Sequence, residues 1–185
     1  LRAALKAGSA QPSTAGWAMI GTPLAVLNAG AIAATASDEG AALDGFLVGT
    51  NDLSAETRIR PGGDRLPMLS WLSTCVLAAR AFDLAIVDGV YNDYNDAAGF
   101  RAECEQGRLL GMDGKSRIHP NQVTACNEVF SPSAEEISWA RAVVAAFDKA
   151  ENAGKGAIAL KGRIIERLHM RIAQRMIATA RARSG

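Results

Sequence analysis

A carboxylate at the end of an apolar segment is the clearest candidate for chemistry in this chain. Asp52 follows an apolar run that ends at Val48 and a corner formed by Gly49, Thr50 and Asn51. In folds that alternate strands with helices, reactive groups gather where the strands end. A carboxylate there can hold a divalent cation, while backbone N–H groups nearby hold an anionic oxygen. The same pattern also fits an aspartate that caps the next helix, and taken alone it favours the cap.

Three further corners carry polar side chains, and they lie at residues 21–23, 88–93 and 114–122. A lone histidine such as His119 is more often structural than catalytic. Asp88 lies within an apolar strand, where a carboxylate is costly unless it is hydrogen-bonded, so it belongs either to a structural network or to the site. Lys115 either attracts a phosphate or is simply solvated, and solvation is the favoured interpretation.

Short apolar strands alternate with amphipathic helices along the chain. Strands are predicted at Trp17–Ile20, Phe46–Gly49, Ala85–Val87 and Ser116–Ile118, with a small extra strand at Ala157–Leu160. Helices are predicted at Leu1–Ala7, from Thr22-Pro23 through Ala33, from Pro67, over Asp96–Leu110, from a capping box at Ser133, and in a terminal helix that places Leu168, Ile172, Met176 and Ile177 on one face. The polar, glycine-containing segment Ser54–Arg65 is predicted to be mobile.

This order of elements predicts an α/β fold with a parallel sheet covered by helices. Four strand–helix units are visible, whereas a complete (β/α)₈ TIM barrel needs about 250 residues, so the chain covers about half of such a barrel. A half-barrel exposes two sheet edges and the inner faces of its strands. We therefore expect the segment to pair with further chain or to self-associate.

The composition of the 185 residues is that of an ordinary globular protein, with 49% hydrophobic and 21% charged residues. A net charge of +1 argues against a nucleic-acid partner. The three scattered cysteines lack metal-ligand spacing and predict reduced thiols in a cytoplasmic protein. No run is long enough to cross a membrane and no signal peptide is evident. The first residues fall within a predicted helix without a starting methionine, which suggests a fragment.

Several motifs, in this order, resemble the citrate lyase beta-subunit and malyl-CoA lyase family. They are Gly49–Leu53, Asp88–Tyr91, Gly114–Gln122, Phe130–Ser133 followed by Glu135 and Glu136, and the tail Gly162–Met176. The resemblance covers essentially the whole chain and implies the C-terminal half of a TIM barrel. It implies a reversible Claisen-type cleavage of malyl-, citramalyl- or citryl-CoA into an acyl-CoA and a small 2-oxo acid.

The resemblance also implies a cofactor and a set of site residues. Mg²⁺ would be held by Asp52, and backbone N–H groups near Thr50, Asn51 and Asp52 would grip the carboxylate of the 2-oxo acid. Residues 1–150 would form the half-barrel, and residues 151–185 a lid on a neighbouring subunit. The lid would deliver Glu166 as a general acid or base in a homo-oligomer, a trimer or a multiple of it. Without the resemblance, Glu166 is a carboxylate at a helix start.

Three departures from the family pattern leave alternatives open. Gly21 occupies the position where the family has a second metal-binding Glu, and Glu166 replaces the usual Asp. The first four strands of the barrel, with a substrate-binding arginine, are not in this sequence. The chain could therefore be a catalytically impaired or truncated paralogue that binds CoA esters or serves as a structural subunit. A metal-dependent aldolase that acts on free pyruvate is a further alternative.

Overall fold

The computed structural model describes residues 2–9, 11, 13–38 and 41–182. The chain forms two compact units, Leu1–Phe130 and Ser131–Gly185, and each has its own hydrophobic core. The sequence predicts a boundary at residue 150, and this division into half-barrel and lid stays a prediction. None of the described helices is long and apolar enough to cross a membrane.

The first unit is built on a four-stranded parallel sheet. Its strands are β1 (Gly16–Ile20), β2 (Leu43–Val48), β3 (Ala85–Asp88) and β4 (Gly114–Lys115), in the order β1-β2-β3-β4. The helices are α1 (Arg2–Ala7), α2 (Pro23–Leu27), α3 (Ala29–Ala34), α4 (Thr50–Thr57), α5 (Leu69–Ala81), α6 (Ala97–Leu110) and α7 (Asn121–Phe130). Strands that pair in chain order without reversal are typical of one arc of a (β/α)₈ barrel.

The ends of the helices follow the sequence signals. Thr22 accepts a hydrogen bond from the backbone of Ala25 at 3.1 Å and so caps α2. Gly111, in the left-handed conformation at φ 95°, ends α6 after Leu110, the last residue of the predicted helix. The helix predicted from Thr22-Pro23 through Ala33 is divided at Asn28, whose side chain donates to the carbonyl of Leu24.

The fourth strand was predicted at Ser116–Ile118, but it begins two residues earlier, and this prediction is wrong. The strand is Gly114–Lys115, because pairing with β3 occurs only there, and the backbone of Ser116 then donates to the last carbonyl of β3. Ile118 made the segment Ser116–Ile118 resemble a strand, yet it is 52% exposed and lies in the following corner. The helix predicted from Pro67 begins as a 3-10 turn, Leu66–Met68, before α5.

The two faces of the sheet differ in their covering. Phe46 and Ile86 are fully buried in a core that includes apolar residues of α5 and α6. Trp17 and Met19 of β1 are 49% and 59% exposed. The pattern agrees with an arc of barrel whose inner face has little cover within this unit.

The second unit contains α8 (Ala134–Phe147), an antiparallel hairpin of β5 (Ala157–Leu160) and β6 (Arg163–Glu166), and α9 (Arg167–Ala182). The capping box at Ser133 is present, with reciprocal bonds to Glu136. The predicted strand β5 and terminal helix are confirmed. Of the predicted apolar face of α9, Met176 and Ile177 pack on the core, while Leu168 and Ile172 are 43% and 44% exposed.

Candidate functional site

The carboxyl ends of β1 and β2 meet at Gly21 and Asp52. The backbone N–H of Gly49 donates to the carbonyl of Ile20 at 2.9 Å, which joins the two ends. A Cβ atom placed on Gly21 would lie 3.2 Å from Oδ2 of Asp52, so the carboxylate lies directly against that glycine. Gly49, not Asp52, is the N-cap of α4, and the interpretation of Asp52 as a cap is wrong.

Helix α4 begins immediately after β2 and turns its first N–H groups toward this corner. The backbone N–H of Leu53 donates to the carbonyl of Gly49 at 3.0 Å and closes the first turn of the helix. The N–H groups of Thr50, Asn51 and Asp52 precede it, and N–H groups in a first turn have no carbonyl partner within their helix. A helix start of this kind binds carboxylate and phosphate oxygens. Thr50, Asn51 and Asp52 thus form the first turn of α4, and their predicted roles in substrate and metal binding stay predictions.

Side chains connect the end of β2 to the end of β3. Asn51 and Asn92 exchange two amide hydrogen bonds of 3.0 and 2.9 Å. Thr50 is buried against Gly89, where an added Cβ would lie 2.2 Å from Oγ1 of Thr50, so only glycine fits there. These contacts fix the start of α4 relative to the corner after β3.

A buried cluster of two acids and two bases lies at the end of β3. Asp88, with 0% exposure, accepts hydrogen bonds of 2.8 and 2.9 Å from Nη1 of Arg65 and one of 3.1 Å from Nζ of Lys115. Glu103 pairs with Nζ of Lys115 and lies 3.4 Å from Nη1 of Arg65. A buried carboxylate needs such compensation, so Asp88 is a member of a structural network.

This cluster corrects two predictions. Lys115 is not solvated, because its side chain is buried and also donates to the carbonyl of Gly89 at 2.7 Å. Arg65 was assigned to a mobile polar segment, yet only 4% of it is exposed, and Ser54 belongs to α4. The partner of Arg65, Asp88, is 23 residues away in sequence, and no local pattern signals such a pair.

The corners after β3 and β4 are also connected. The side chain of Gln122 donates to the carbonyl of Tyr91 at 2.9 Å and accepts from the backbone of Ile118 at 3.0 Å. His119 stacks on Tyr94 with ring centroids 4.7 Å apart, and its Nδ1 accepts from the backbone of Asn121. His119 therefore supports the corner, in line with its structural interpretation.

Tyr91 and Asp96 form a 2.6 Å hydrogen bond beside this corner. The bond raises the pKa of Tyr91 to about 12, with further contributions from burial and from the negative charges of Asp96, Glu103 and Asp93. It also lowers the pKa of Asp96, which in addition caps α6 through the backbone of Gly99. The phenol is therefore neutral and the carboxyl is ionised at neutral pH.

A cavity of about 270 Å³ lies between the corners after β2 and β3. Its lining includes Thr50, Asn51, Arg65, Tyr91, Asn92 and Glu103, and residues Pro61–Gly63 form part of its wall. Asp52 is turned toward Gly21 and is not among the lining residues. The site thus has two parts, a carboxylate beside Gly21 and a polar cavity on the other side of Thr50.

Glu166 lies in the second unit. It is the last residue of β6, its side chain is exposed, and its backbone N–H donates to Nδ1 of His169 at 3.0 Å. Its predicted role as an acid or base, supplied to a neighbouring subunit, stays a prediction.

The residues present fit Mg²⁺ through one carboxylate. Among the described residues, no group of three His, Cys, Asp or Glu side chains could enclose a metal ion. Mg²⁺ in enzymes is often held by one or two carboxylates together with substrate and water. Asp52 suits that role because it is exposed and adjoins helix-start donors, while Gly21 contributes no oxygen from a side chain.

Comparison with known proteins identifies the family. The model of the HpcH/HpaI aldolase/citrate lyase family matches residues 5–120. The chain belongs to this family. The resemblance predicted from the motifs is confirmed, and with it the partial TIM-barrel fold.

The members of the family that resemble this chain include enzymes named for CoA esters. A (3S)-malyl-CoA thioesterase of Cereibacter sphaeroides is 49% identical over 166 residues, which are 90% of this chain and 56% of that protein. The mitochondrial citramalyl-CoA lyase of Homo sapiens is 36% identical over 138 residues, or 75% of this chain and 41% of that enzyme. This chain thus spans about half the length of the curated relatives it matches.

A solved relative carries ligands. The crystal structure of the protein CitE from Mycobacterium tuberculosis in complex with magnesium, acetoacetate and coenzyme A has a TM-score of 0.70 and 27% identity. The match covers 90% of this chain and 60% of that one.

Proposed function

We propose that this protein is a Mg²⁺-dependent carbon–carbon lyase that cleaves or forms a 3-hydroxyacyl-CoA such as malyl-, citramalyl- or citryl-CoA. The products of cleavage are an acyl-CoA and a 2-oxo acid. The observation that carries the proposal is the position of the Asp52 carboxylate, which lies against Gly21 at the joined ends of β1 and β2 and beside the first N–H groups of α4. The named CoA-ester enzymes in the family support it.

Each residue of the helix start has a distinct task in this proposal. Asp52 holds Mg²⁺, which when bound supplies polarisation of the 2-oxo carbonyl. The N–H groups of Thr50 and Asn51 bind and orient the carboxylate of the 2-oxo acid portion. This fixes the position of the bond that breaks, which joins the carbon bearing the hydroxyl to the α-carbon of the thioester. As that bond breaks, the hydroxyl loses its proton to water and becomes the carbonyl of the 2-oxo acid, and the electron pair of the bond remains on the acyl-CoA as an enolate.

Glu166 moves the proton in this proposal. The α-carbon of the enolate takes a proton from the Glu166 carboxyl during cleavage, and the carboxylate removes that proton in the direction of synthesis. The Glu166 side chain at the end of β6 is exposed, whereas Asp88 is held in a buried ion pair. The protein works as a homo-oligomer in the cytoplasm, with Glu166 supplied by a neighbouring subunit.

Thioester hydrolysis is a second candidate, because a relative with 49% identity is named a thioesterase. Hydrolysis of malyl-CoA yields malate and free CoA, whereas carbon–carbon cleavage yields acetyl-CoA and glyoxylate. Incubation of the protein, expressed from its complete reading frame, with each CoA ester and separation of the products distinguishes the two. Malate and free CoA as the only products would overturn the lyase proposal.

The metal and the carboxylate are tested together. We expect activity to disappear with EDTA and to return with Mg²⁺, and Asp52→Asn to lower kcat/KM by at least 100-fold. Asp44→Asn is the matched control, because Asp44 is an exposed aspartate near the opposite end of the same strand. Metal-independent cleavage, or full activity of Asp52→Asn, would contradict the proposal. A complete protein that binds CoA esters without any turnover would favour the impaired paralogue.

A further inference from the structure

One face of α6 turns a buried cysteine toward α7. Arg101, Cys104 and Arg108 share this face, because residues three or four positions apart are neighbours on a helix. Arg101 pairs with Glu128 of α7, and Nη1 of Arg108 donates to the carbonyl of Val129 at 3.0 Å. Cys104, which is fully buried between these two contacts, therefore points at α7 as well.

The residue of α7 that meets Cys104 is a second cysteine, Cys126. It is 2% exposed, and its Sγ accepts a hydrogen bond from the thiol of Cys104. The same Sγ lies 3.9 Å from the carbonyl oxygen of Lys115 in β4. Both cysteines are free thiols. The hydrogen bond places their sulfurs side by side on adjoining helices, as a disulfide between them requires.

The surroundings of Cys126 favour its thiolate, which is the reactive form of cysteine. The hydrogen bond from Cys104 lowers the pKa of Cys126, and the positive charge of Arg117 lowers it further, against the opposing effect of burial. The same hydrogen bond raises the pKa of Cys104, so the two thiols have different tasks. Cys126 is suited to attack an oxidant, and Cys104 is suited to react afterwards.

Arg117 is also the cover through which a small oxidant can reach Cys126. The residue is exposed, and its guanidinium hydrogen-bonds to the sulfur of Cys126. Its Nη1 lies 3.4 Å from Oδ1 of Asn127, which is the long limit of a hydrogen bond. One movement of an exposed side chain therefore uncovers the sulfur, without unfolding of either helix.

The third cysteine of the chain provides a contrast. Cys75 is fully buried in α5, and burial raises its pKa to about 11. It is therefore a neutral thiol at physiological pH, and a buried neutral thiol is inert.

We propose that Cys104 and Cys126 are a redox-modification site, at which a hydroperoxide closes a reversible disulfide between α6 and α7. The Cys126 thiolate attacks hydrogen peroxide, the O–O bond breaks, and the sulfur becomes a sulfenic acid while hydroxide leaves. The sulfur of Cys104 then gives up its proton and displaces hydroxide from the sulfenic acid, which forms the S–S bond. The two thiol hydrogens and the peroxide leave as two molecules of water. This inference is independent of the proposed lyase reaction.

The test is oxidation of the folded protein, expressed from its complete reading frame, with hydrogen peroxide. Free thiols are then blocked, and the protein is digested with trypsin for mass spectrometry. Trypsin separates the two cysteines into the peptides 102–108 and 118–141. We expect these peptides to be joined with the loss of two hydrogens, and to separate again after treatment with dithiothreitol. Cys75 should be oxidised at least tenfold more slowly.

Two variants test the separate tasks of the residues. Arg117→Gln removes the positive charge beside Cys126 and should slow formation of the disulfide about tenfold. Arg175→Gln, which alters an exposed arginine of the second unit, is the matched control and should leave the rate unchanged. Cys104→Ser should prevent the disulfide, so that Cys126 is oxidised onward to the sulfinic acid.

The inference has clear contradicting results. Equal oxidation rates at Cys75 and Cys126, or a disulfide that forms only after the protein is unfolded in urea, would overturn it. An unchanged rate in Arg117→Gln would overturn the assignment of Cys126 as the attacking thiolate. None of these results depends on whether the protein cleaves CoA esters, so the inference and the proposed function can fail separately.

Discussion

Two aspartates near the ends of neighbouring parallel strands have opposite surroundings. Asp88, the last residue of β3, has 0% exposure and is paired with Arg65 and Lys115. Asp52, in the turn of helix after β2, is exposed and faces Gly21. The difference lies in what surrounds each carboxylate, namely the buried cations Arg65 and Lys115 in one case and the start of α4 in the other. The same residue type at the same edge of a sheet thus stabilises the fold in one place and is available to a ligand in the next.

The largest effect is expected from breaking the buried pair. Asp88→Asn leaves Arg65 and Lys115 with one carboxylate fewer, and removing one partner of a buried pair costs about 3–5 kcal/mol. Chemical denaturation should show a loss of this size, while the control Asp44→Asn stays within about 0.5 kcal/mol of the wild type. A loss of unfolding free energy below about 1 kcal/mol for Asp88→Asn would show that the buried cluster does not stabilise the fold as proposed.

The next largest effect is expected on kcat when the Glu166 carboxylate is removed. Glu166→Gln should lower kcat about 100-fold or more, because proton transfer by a placed side chain contributes at least that much. The affinity for Mg²⁺ should stay unchanged.

A mixture of subunits tests whether Glu166 acts on a neighbour. Oligomers reassembled from Asp52→Asn and Glu166→Gln subunits should regain activity, since some sites would then combine an intact Asp52 with an intact Glu166. No recovery in verified mixed oligomers would place Glu166 in its own subunit's site or outside the site.

A smaller effect is expected at Gly21. Gly21→Glu should raise the affinity for Mg²⁺ about tenfold, because a second carboxylate beside Asp52 can share the ion. The added Cβ lies 3.2 Å from Oδ2 of Asp52, so the aspartate must shift by a few tenths of an ångström. Gly21→Ala introduces the same Cβ without a carboxylate and is the steric control. Calorimetric Mg²⁺ affinities that are equal in the wild type and Gly21→Glu would contradict the one-carboxylate site.

The smallest effect sharpens the comparison with a third carboxylate, Asp96. Its folded pKa is lowered by the hydrogen bond from Tyr91, so its contribution to stability is present above the ordinary pKa near 3.8 and is lost as the pH falls through the lower folded value. Tyr91→Phe should make the loss of stability below pH 4 less steep in acid-unfolding curves. An acid-unfolding curve of Tyr91→Phe that matches the wild type below pH 4 would show that the bond between Tyr91 and Asp96 does not contribute to stability.

The local signals predicted the fold far better than they predicted the ionic cluster. The first three strands and the caps at Thr22 and Ser133 each depend on neighbours within a few residues, and the structure confirms them. The strand β4 was misplaced because only two of its residues pair with β3.

The burial of Arg65 and Lys115 could not be predicted in the same way. Arg65 is held by Asp88 and by Gln106, which are 23 and 41 residues away. A basic residue after a glycine-containing segment normally indicates a solvated loop, and only the folded arrangement reveals its partners. The position of Asp52 after a strand could be predicted, because the end of that strand is visible in the local sequence. Its contact with Gly21 could not be predicted in this way, because it depends on the pairing of β1 with β2.

The most direct test of the account is a titration with Mn²⁺, a paramagnetic substitute for Mg²⁺, in the presence of pyruvate and followed by electron paramagnetic resonance. The proteins are the wild type, Asp52→Asn and Asp44→Asn, each expressed from its complete reading frame. We expect Asp52→Asn to bind Mn²⁺ at least tenfold more weakly than the wild type, and Asp44→Asn to bind it as the wild type does. Equal Mn²⁺ affinity in Asp52→Asn and the wild type would contradict the claim that the carboxylate beside Gly21 is the metal ligand.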